Sequence, residues 1–380
     1  MLSRAQVREL DGHLRRLWKL GANMLIRWRY HREGLEVFHL TSYGLPAAVK
    51  KCAWLIDGSR LLTDDGRIAA ATAAGCERST IRLGFILAED NGTKQLIDEL
   101  LGKYSVIYVD CRAVALYDMV SFSLHSPFEQ VTQVNVLSHF INLAGERIRA
   151  LGLPVDICMT TTGDGFYAWN DRTGLMADVG LYCATMLALG YVYAVRPRAD
   201  PRTVPRLRAC VHFGSHYEYK MMRGGGSEPA PFIVGDVTIT LARLISKALT
   251  HQLLVGTYTR RLEGIDAEWG EKFGMPIMET PAFVALAQQE LAKIKGTAIP
   301  GGEITSVRSY LTGPRVDERS FTIRKYLVSD KHGLEHACYN AKFNLTTKEG
   351  GEVRFGLLES DMAEFKARHD PADDIMIRVV

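Results

Sequence analysis

At 380 residues the chain is too long for one ordinary domain, and usual domain sizes predict two or three. Its composition, 47% hydrophobic and 23% charged residues, is typical of a soluble globular protein, and no run of eighteen apolar residues is expected to cross a bilayer. The net charge of +3 is too small to indicate nucleic acid as a partner.

The cysteines and the first twenty residues indicate in which cellular compartment the protein is expected. The seven cysteines are scattered and odd in number, without the CxxC or Cys/His spacing of a zinc site or a disulfide framework. This usage favours a reducing, cytoplasmic environment. The first twenty residues interleave basic side chains with single leucines, which differs from the continuous apolar segment of a secretory signal.

Residues 1–103 contain no pattern that indicates catalysis, and we interpret them as an N-terminal extension of unknown role. Within them, the stretch 14–32 is basic and amphipathic and carries Trp18 and Trp28. Such a stretch is consistent with a helix on an anionic membrane, or with a helix whose long basic side chains face water. The second arrangement is the more ordinary one, and we favour it.

A buried strand followed by a long helix begins the next part of the chain. Residues 105–117 are rich in β-branched and aromatic side chains, which predicts a central strand ending at Asp118. The signals that follow are an N-cap, a first-turn proline and a capping-box acid, at Ser126, Pro127 and Glu129. They predict an amphipathic helix to about residue 150.

A tight hairpin comes after this helix. Two short strands, 155–162 and 166–169, are predicted to meet at Gly163-Asp164-Gly165, because glycine supplies the positive φ that a tight turn needs. The remaining predicted elements of this part are a helix at 174–189, a strand at 207–213, a mobile inserted loop at 215–231 and a helix that starts after Gly235 and runs through Arg243 to Leu249.

The order strand, helix, hairpin, helix, strand is that of a ferredoxin-like βαββαβ core, so the predicted fold class is α+β. Further on, the sequence predicts a helical linker at 280–296 and then alternating strands, which indicate a small β-rich C-terminal domain, a candidate sensor. We therefore divide the chain by role into an N-terminal extension (1–103), a catalytic domain (104–280) and a linker with the C-terminal domain (281–380).

Two aspartates are the candidate catalytic residues. Asp118 ends the central strand and Asp164 lies in the adjacent hairpin turn, so we expect both carboxylates at one edge of the sheet. Shared carboxylates can hold two divalent ions, Mg²⁺ or Mn²⁺, which stabilise the attacking and leaving oxygens of a phosphoryl transfer. Taken singly, Asp164 is equally consistent with an ordinary turn and Asp118 with a strand-terminal acid. Asp110 is a rival for the first metal position.

Four short sequence blocks follow one another along the chain: LYDMVSFS at 116–123, TTTGDGF at 160–166, VHFG at 211–214 and GDVTITLARL at 235–244. Together they resemble the class III adenylyl and guanylyl cyclases, over about residues 105–255. The resemblance implies a lyase that converts a nucleoside triphosphate to its 3′,5′-cyclic monophosphate and pyrophosphate. It implies Asp118 and Asp164 as ligands of two metal ions, and Arg243 as the group that stabilises charge on the α-phosphate.

The same resemblance implies a homodimer with shared active sites, in which Arg243 acts on the subunit opposite to its own. The backbone after Asp118 is expected to offer N–H groups to phosphate oxygens. The substrate-binding residues implied in this loop, the hairpin and the base pocket are Met119, Val120, Ser121, Phe122, Thr160, Gly163, Phe232 and Ile239.

The chain departs from the family at the nucleoside contacts. Ile239 stands where the family has the asparagine that orients the ribose, and Thr160 and Phe232 stand where it has the lysine and carboxylate that read a purine. In this respect the chain is similar to the bacterial pyrimidine cyclases of Pycsar antiphage systems. That similarity implies UTP or CTP as substrate, cUMP or cCMP as product, and a separate effector protein that the product activates.

Three other interpretations remain open. In the first, the chain is an adenylate or guanylate cyclase that reads a purine through other contacts. In the second, it is a degenerate cyclase-like module that senses a nucleotide. A third alternative is another palm-type nucleotidyl transferase, because this core supports several such chemistries.

Overall fold

The computed structural model of the chain describes residues 2–221, 230–317 and 320–378. Its helices are α1 (Arg4–Trp18), α2 (Leu45–Lys51), α3 (Asp65–Ala73), α4 (Asn91–Gly102), α5 (Pro127–Ala150), α6 (Leu175–Val195), α7 (Asp236–Lys247), α8 (Ala267–Phe273) and α9 (Thr280–Leu291).

The strands of the N-terminal half and the centre are β1 (Asn23–His31), β2 (Gly34–Thr41), β3 (Glu77–Arg82), β4 (Val106–Met119), β5 (Ile157–Thr161), β6 (Gly165–Asn170), β7 (Leu207–Met221), β8 (Ala230–Val234), β9 (Leu253–Gly256), β10 (Thr259–Arg261) and β11 (Ile277–Glu279). Those of the C-terminal part are β12 (Ala298–Ile299), β13 (Gly302–Leu311), β14 (Ser320–Ile323), β15 (Lys325–Ser329), β16 (Glu335–Thr347), β17 (Glu352–Phe355), β18 (Arg368–His369) and β19 (Ile375–Arg378).

The chain forms two compact units whose boundary falls within β4 and β7. The first unit comprises Met1–Asp110 and His216–Val234, and the second comprises Cys111–Ser215 and Gly235–Val380. These units differ from the division by role into 1–103, 104–280 and 281–380. The compact units do not show which part of the chain has which role, so the division by role stays a prediction.

The first unit is built on the antiparallel sheet β1-β2-β3, with α1 and α4 packed on its apolar side chains. The interpretation of 14–32 as one amphipathic helix is wrong. The helix ends at Trp18, the backbone turns through left-handed conformations at Lys19 and Leu20, and β1 follows. Trp18 and Trp28 are buried in the core of this unit, so their aromatic rings stabilise the fold from inside.

The second unit is organised around one large sheet with the strand order β12-β13-β16-β9-β7-β4-β6-β5. Neighbouring strands are antiparallel at β4–β6, β5–β6 and β16–β9, and parallel at β7–β9. The centre of β4 is buried on both faces, as expected for a strand of nearly continuous apolar residues. The architecture is a mixture of α and β elements, as the sequence predicts.

Helix α5 begins where the sequence predicts. Ser126 is the N-cap, Pro127 is the first helical residue, and Glu129 completes a capping box with the backbone N–H of Ser126 (2.8 Å). Buried side chains of α5, α6 and α9 share one hydrophobic core with the sheet. This core holds the hairpin of β5 and β6 against β4.

Helix α6 is an apolar helix of the protein core. Residues 175–198 are long and apolar enough to cross a bilayer by length and composition, but 94% of the most apolar window is buried inside the protein. Gly180 and Gly190 let the helix approach Val155 and Phe343 closely. A helix that is apolar on all sides is typical of the centre of a core.

Two further expectations need correction. The C-terminal strands are not a separate appendage, because β16 pairs with β9 and extends the central sheet. Residues 215–231 are not simply a loop, because β7 continues to Met221 and pairs with β8. The remainder of that predicted loop, 222–229, lies outside the described residues.

Candidate active site

Asp118 and Asp164 lie at the same end of two adjacent strands. In the register of β4 and β6, Asp118 is opposite Gly165, the residue that follows Asp164. The backbone N–H of Met119 donates to the carbonyl oxygen of Asp164 (2.8 Å), which ties the hairpin turn to the end of β4. The structure therefore brings these two aspartates together, whereas Asp110 lies within β4 and not at its end.

The glycines on either side of Asp164 have distinct roles. A side chain on Gly165 would place its Cβ 1.9 Å from the carbonyl oxygen of Tyr117, so only glycine allows the two backbones to approach this closely. Gly163 has a φ of 102°, in the region that favours glycine, and its N–H donates to Oγ1 of Thr161 (2.9 Å). The Asp164 side chain is left exposed at the tip of the turn.

Arg208 on β7 is a site residue that the sequence reasoning missed. Its Nε donates to Oδ2 of Asp118 (2.6 Å), and its Nη1 donates to the carbonyl oxygen of Ala248 (3.0 Å). Burial raises the pKa of Asp118, the Arg208 hydrogen bond and charge oppose that rise, and the Asp164 carboxylate adds to it. The signal that could have found Arg208 is a lone arginine within the apolar strand LRACVHF.

The loop after Asp118 is held by its own backbone. The N–H of Val120 donates to the carbonyl oxygen of Arg206 (2.8 Å), and the N–H of Met119 is bonded to Asp164 as described. These two amides are therefore already paired, and the offer of N–H groups to phosphates stays a prediction for residues 121–123. Ser121 has a φ of 60°, an uncommon conformation for a residue with a side chain, and Phe122 packs against the main core.

A basic groove of about 300 Å³ lies beside this loop and includes Val120 in its wall. Its other lining residues are His125, Gln133, Arg196, Pro201, Arg202 and Arg206. Arg202 is paired with Asp200 (2.9 Å) and Glu129 (3.4 Å). Arg206 makes no ion pair within the described parts of the chain, so its charge is open to a ligand.

Arg243 lies on α7 and contacts a turn of the C-terminal part. Its Nε is 3.5 Å from Oδ2 of Asp330, a carboxylate whose side chain is 4% exposed. The backbone N–H groups of His332 and Leu334 donate to Oδ1 of the same carboxylate (2.8 and 3.0 Å). About a third of the Arg243 side chain remains exposed. Within the chain, this arginine is therefore held by the turn between β15 and β16.

Each predicted nucleoside contact is located within its own unit. Thr160 on β5 is opposite Tyr167, whose hydroxyl donates to the carbonyl oxygen of Thr238 on α7 (3.1 Å). The next residue, Ile239, has an exposed side chain. Phe232 belongs to the first unit, where it lies on β8 opposite Tyr219.

The donor set at the Asp118 end of the sheet consists of two carboxylates. Arg208 occupies only Oδ2 of Asp118, and Asp164 is exposed, so oxygens of both side chains remain open. Mg²⁺ is commonly bound by one or two carboxylates, with waters and substrate phosphates as the other ligands, and this set fits that pattern. Among the residues that the structure describes, no group of three or more His, Cys, Asp or Glu side chains could hold a metal ion by itself.

Comparisons with known proteins returned structures but no sequence family. No protein-family model and no curated protein matches the chain. Similar solved structures include the guanylate cyclase domain of RhGC from Catenaria anguillulae in complex with GTP, 11% identical over 62% of this chain and 97% of that one, with a TM-score of 0.35.

Two further structures are similar to the same extent. The catalytic core of a rhodopsin-guanylyl cyclase with converted specificity, in complex with ATPαS, is 12% identical over 62% of this chain and 97% of that one, with a TM-score of 0.36. The adenylyl cyclase CyaB from P. aeruginosa is 10% identical over 62% of this chain and 95% of that one, with a TM-score of 0.34.

Proposed function

We propose that this chain is a nucleotidyl cyclase of the class III kind, which converts a nucleoside triphosphate to a 3′,5′-cyclic monophosphate and pyrophosphate. The observation that supports it most is the register that sets Asp118 opposite Gly165, with Asp164 next in the turn. We also interpret the strand order β7-β4-β6-β5, with α5 and α6 as crossover helices, as a ferredoxin-like core.

Asp118 and Asp164 would hold two divalent ions, Mg²⁺ or Mn²⁺. Such ions, when bound, lower the pKa of the attacking hydroxyl and stabilise charge on the departing pyrophosphate. The protein's own contribution is to fix the two carboxylates in place: Arg208 orients Asp118 and favours its ionised form, and the Met119 N–H anchors the turn that carries Asp164.

The groove beside the loop supplies candidates for the triphosphate. Arg206 and Arg196 line it together with Val120, one of the loop residues next to Asp118. Arginine suits this role because its planar donors match phosphate oxygens. In our proposal the groove binds the β- and γ-phosphates, and Arg243 acts at the α-phosphate.

The base contacts favour a pyrimidine. Thr160 offers a single hydroxyl and Phe232 an aromatic ring, where a purine-reading pair would need a longer donor and an acceptor. We therefore propose UTP or CTP as substrate and cUMP or cCMP as product. The similarity to the pyrimidine cyclases of antiphage systems supports a role as the signal generator for a separate effector protein in antiviral defence.

We further propose a homodimer in which Arg243 of one subunit completes the site that holds Asp118 and Asp164 of the other. This arrangement gives two sites related by a twofold axis. It is tested by mixing two inactive variants, Asp164→Asn and Arg243→Gln. Recovery of activity in the mixture supports sharing between subunits, and a mixture as inactive as each parent contradicts it.

A nucleotide-sensing module is the second candidate. The exposed Ile239, in place of a ribose-orienting amide, and the ion pair already made by Asp118 favour it. A sensor would bind a nucleoside triphosphate without consuming it.

The deciding experiment incubates the full chain with ATP, GTP, CTP or UTP and with Mg²⁺ or Mn²⁺, and identifies products by mass spectrometry. Asp164→Asn is the test variant, and Asp171→Asn, an exposed aspartate at the other end of β6, is the matched control. A cyclic pyrimidine monophosphate that disappears only in Asp164→Asn supports the proposal. A cyclic purine contradicts the base assignment, and binding without product favours the sensor.

A further inference from the structure

The C-terminal end of the large sheet carries a polar groove that the proposed catalytic site does not use. It has a volume of about 290 Å³ and lies over β13, β16 and β17. Arg308, Asn344 and Arg354 form a row across the three strands, because Asn344 is the register partner of both arginines. Lys342 precedes Asn344 by two residues on β16, so both side chains lie on the same face.

The opposite face of these strands belongs to the core. Val307, Phe343 and Phe355 alternate with the groove residues and are buried in the main hydrophobic cluster. Ser309 hydrogen-bonds to Tyr182 of α6 (2.8 Å). Because the helices cover that face, the backbone that presents the groove is rigidly supported.

Lys342 is the most informative residue of the groove. The residue is only 8% exposed, and its ammonium group makes no hydrogen bond or ion pair within the described residues. Burial lowers the pKa of its ammonium group, Arg354 adds to this effect, and Asp361 opposes it. The stem of the side chain is covered and the ammonium end lines the groove, so an anion in the groove would favour the charged form that partial burial disfavours.

The groove has an excess of positive charge. Arg308 is exposed and makes no ion pair within the described parts of the chain, and Glu352 is the carboxylate among the lining residues. Glu352 binds one nitrogen of Arg354, Nη2, at 2.6 Å, so the other guanidinium donors remain open. Ser306 and Thr346 add hydroxyl groups to the wall. The groove is thus lined by three cationic side chains, Arg308, Lys342 and Arg354, and by one carboxylate, Glu352.

We propose that this groove binds a small phosphate-bearing anion, held by Lys342, Arg308 and Arg354. A phosphate group has enough oxygens to accept from all three side chains at once, and charge-assisted hydrogen bonds of this type are strong. The groove is small for a whole nucleotide, since ligand pockets usually span roughly 300–1,000 Å³, so the phosphates are the part that it recognises. This inference is independent of the proposed cyclase activity.

The test uses the full chain and inorganic pyrophosphate, in a buffer with EDTA so that no divalent ion supports binding at Asp118 and Asp164. Hydrogen–deuterium exchange reports the location, and calorimetry reports the affinity. We expect slower exchange in residues 302–311, 335–347 and 352–355. Lys342→Met and Arg308→Gln should each weaken binding by about tenfold or more, as the loss of one charge-assisted hydrogen bond predicts.

Matched controls separate this site from the catalytic one. Lys295→Met and Arg261→Gln remove exposed cations elsewhere in the same unit and should leave binding unchanged. Arg308 is exposed, so its variant tests the proposal even if Lys342→Met fails to fold. No saturable binding at millimolar pyrophosphate, or binding that Arg308→Gln and Lys342→Met leave intact, would overturn the proposal.

Discussion

Replacing Arg260 by methionine removes the cation that lies between two buried carboxylates of the second unit. Its Nη1 is 2.6 Å from Oδ2 of Asp178, and its Nε is 2.9 Å from Oδ2 of Asp266. Both carboxylates also anchor backbone: Asp178 accepts from the N–H of Ala113 in β4 (2.8 Å), and Asp266 accepts from the N–H of Leu175 at the start of α6 (2.7 Å). The ion pairs thus connect the central strand with the core helix.

The expected loss is large because both carboxylates would stay buried without their cation. Asp178 is 0% exposed and Asp266 3%. Removal of one partner from a buried pair typically costs about 3–5 kcal/mol, and a whole protein is commonly stable by only about 5–15 kcal/mol. Burial raises the pKa of Asp178 to about 6 and Arg260 opposes that rise, so the pKa climbs further in the variant.

The sign of the pH dependence follows from this. The folded state binds the proton of such a carboxyl group more tightly than the unfolded state does, because its folded-state pKa is raised. This preference stabilises the native state fully below the unfolded-state pKa of about 4. The stabilisation is lost as pH rises through the folded-state pKa. The deficit of Arg260→Met relative to wild type should therefore be greatest near neutral pH and should shrink as pH falls toward about 4–5.

Urea unfolding followed by far-ultraviolet circular dichroism, at about pH 7 and about pH 5, measures both effects. Arg261→Met is the matched control, because this neighbouring arginine is exposed, and its change should stay within about 0.5 kcal/mol. A loss below about 1 kcal/mol in Arg260→Met, or a loss that does not shrink at lower pH, would refute the reasoning.

Three further predictions concern the site and the helix beside it. Gly165→Ala should lower the free energy of unfolding by about 2 kcal/mol or more, seen as a lower thermal midpoint, because the new Cβ meets the carbonyl oxygen of Tyr117. Arg208→Met should raise the pKa of Asp118, so the acidic limb of the pH–activity profile of the proposed cyclase reaction should move to higher pH, with Arg208→Lys between the two. Ser126→Ala removes the N-cap of α5 and should cost about 1 kcal/mol in urea unfolding.

The parts of the fold that local signals encode could be predicted from the sequence. The start of α5 is an example, since Ser126, Pro127 and Glu129 act within one turn of backbone. The observed strands on either side of Asp164, Ile157–Thr161 and Gly165–Asn170, agree with their predicted bounds within about two residues. In each case the deciding contacts join residues close in the chain.

The parts that depend on distant contacts could not be predicted. The Asp118–Arg208 ion pair joins residues 90 positions apart, and no local pattern reports it. The pairing of β16 with β9 depends on sheet register over a similar distance. The end of α1 at Trp18 could not be predicted for another reason: the left-handed backbone of Lys19 and Leu20 leaves little trace in composition, because neither residue is glycine.

The pairing of β16 decides how the C-terminal part can communicate with the rest of the second unit. This strand bonds to β13, β15, β17 and β9, so its hydrogen-bond ladder runs directly into the central sheet. Truncation before β16 would expose the unpaired edge of β9 and invite aggregation. We therefore expect a structural change in the C-terminal strands to reach β9 through this hydrogen-bond ladder, and not through the rotation of a separate domain about a hinge.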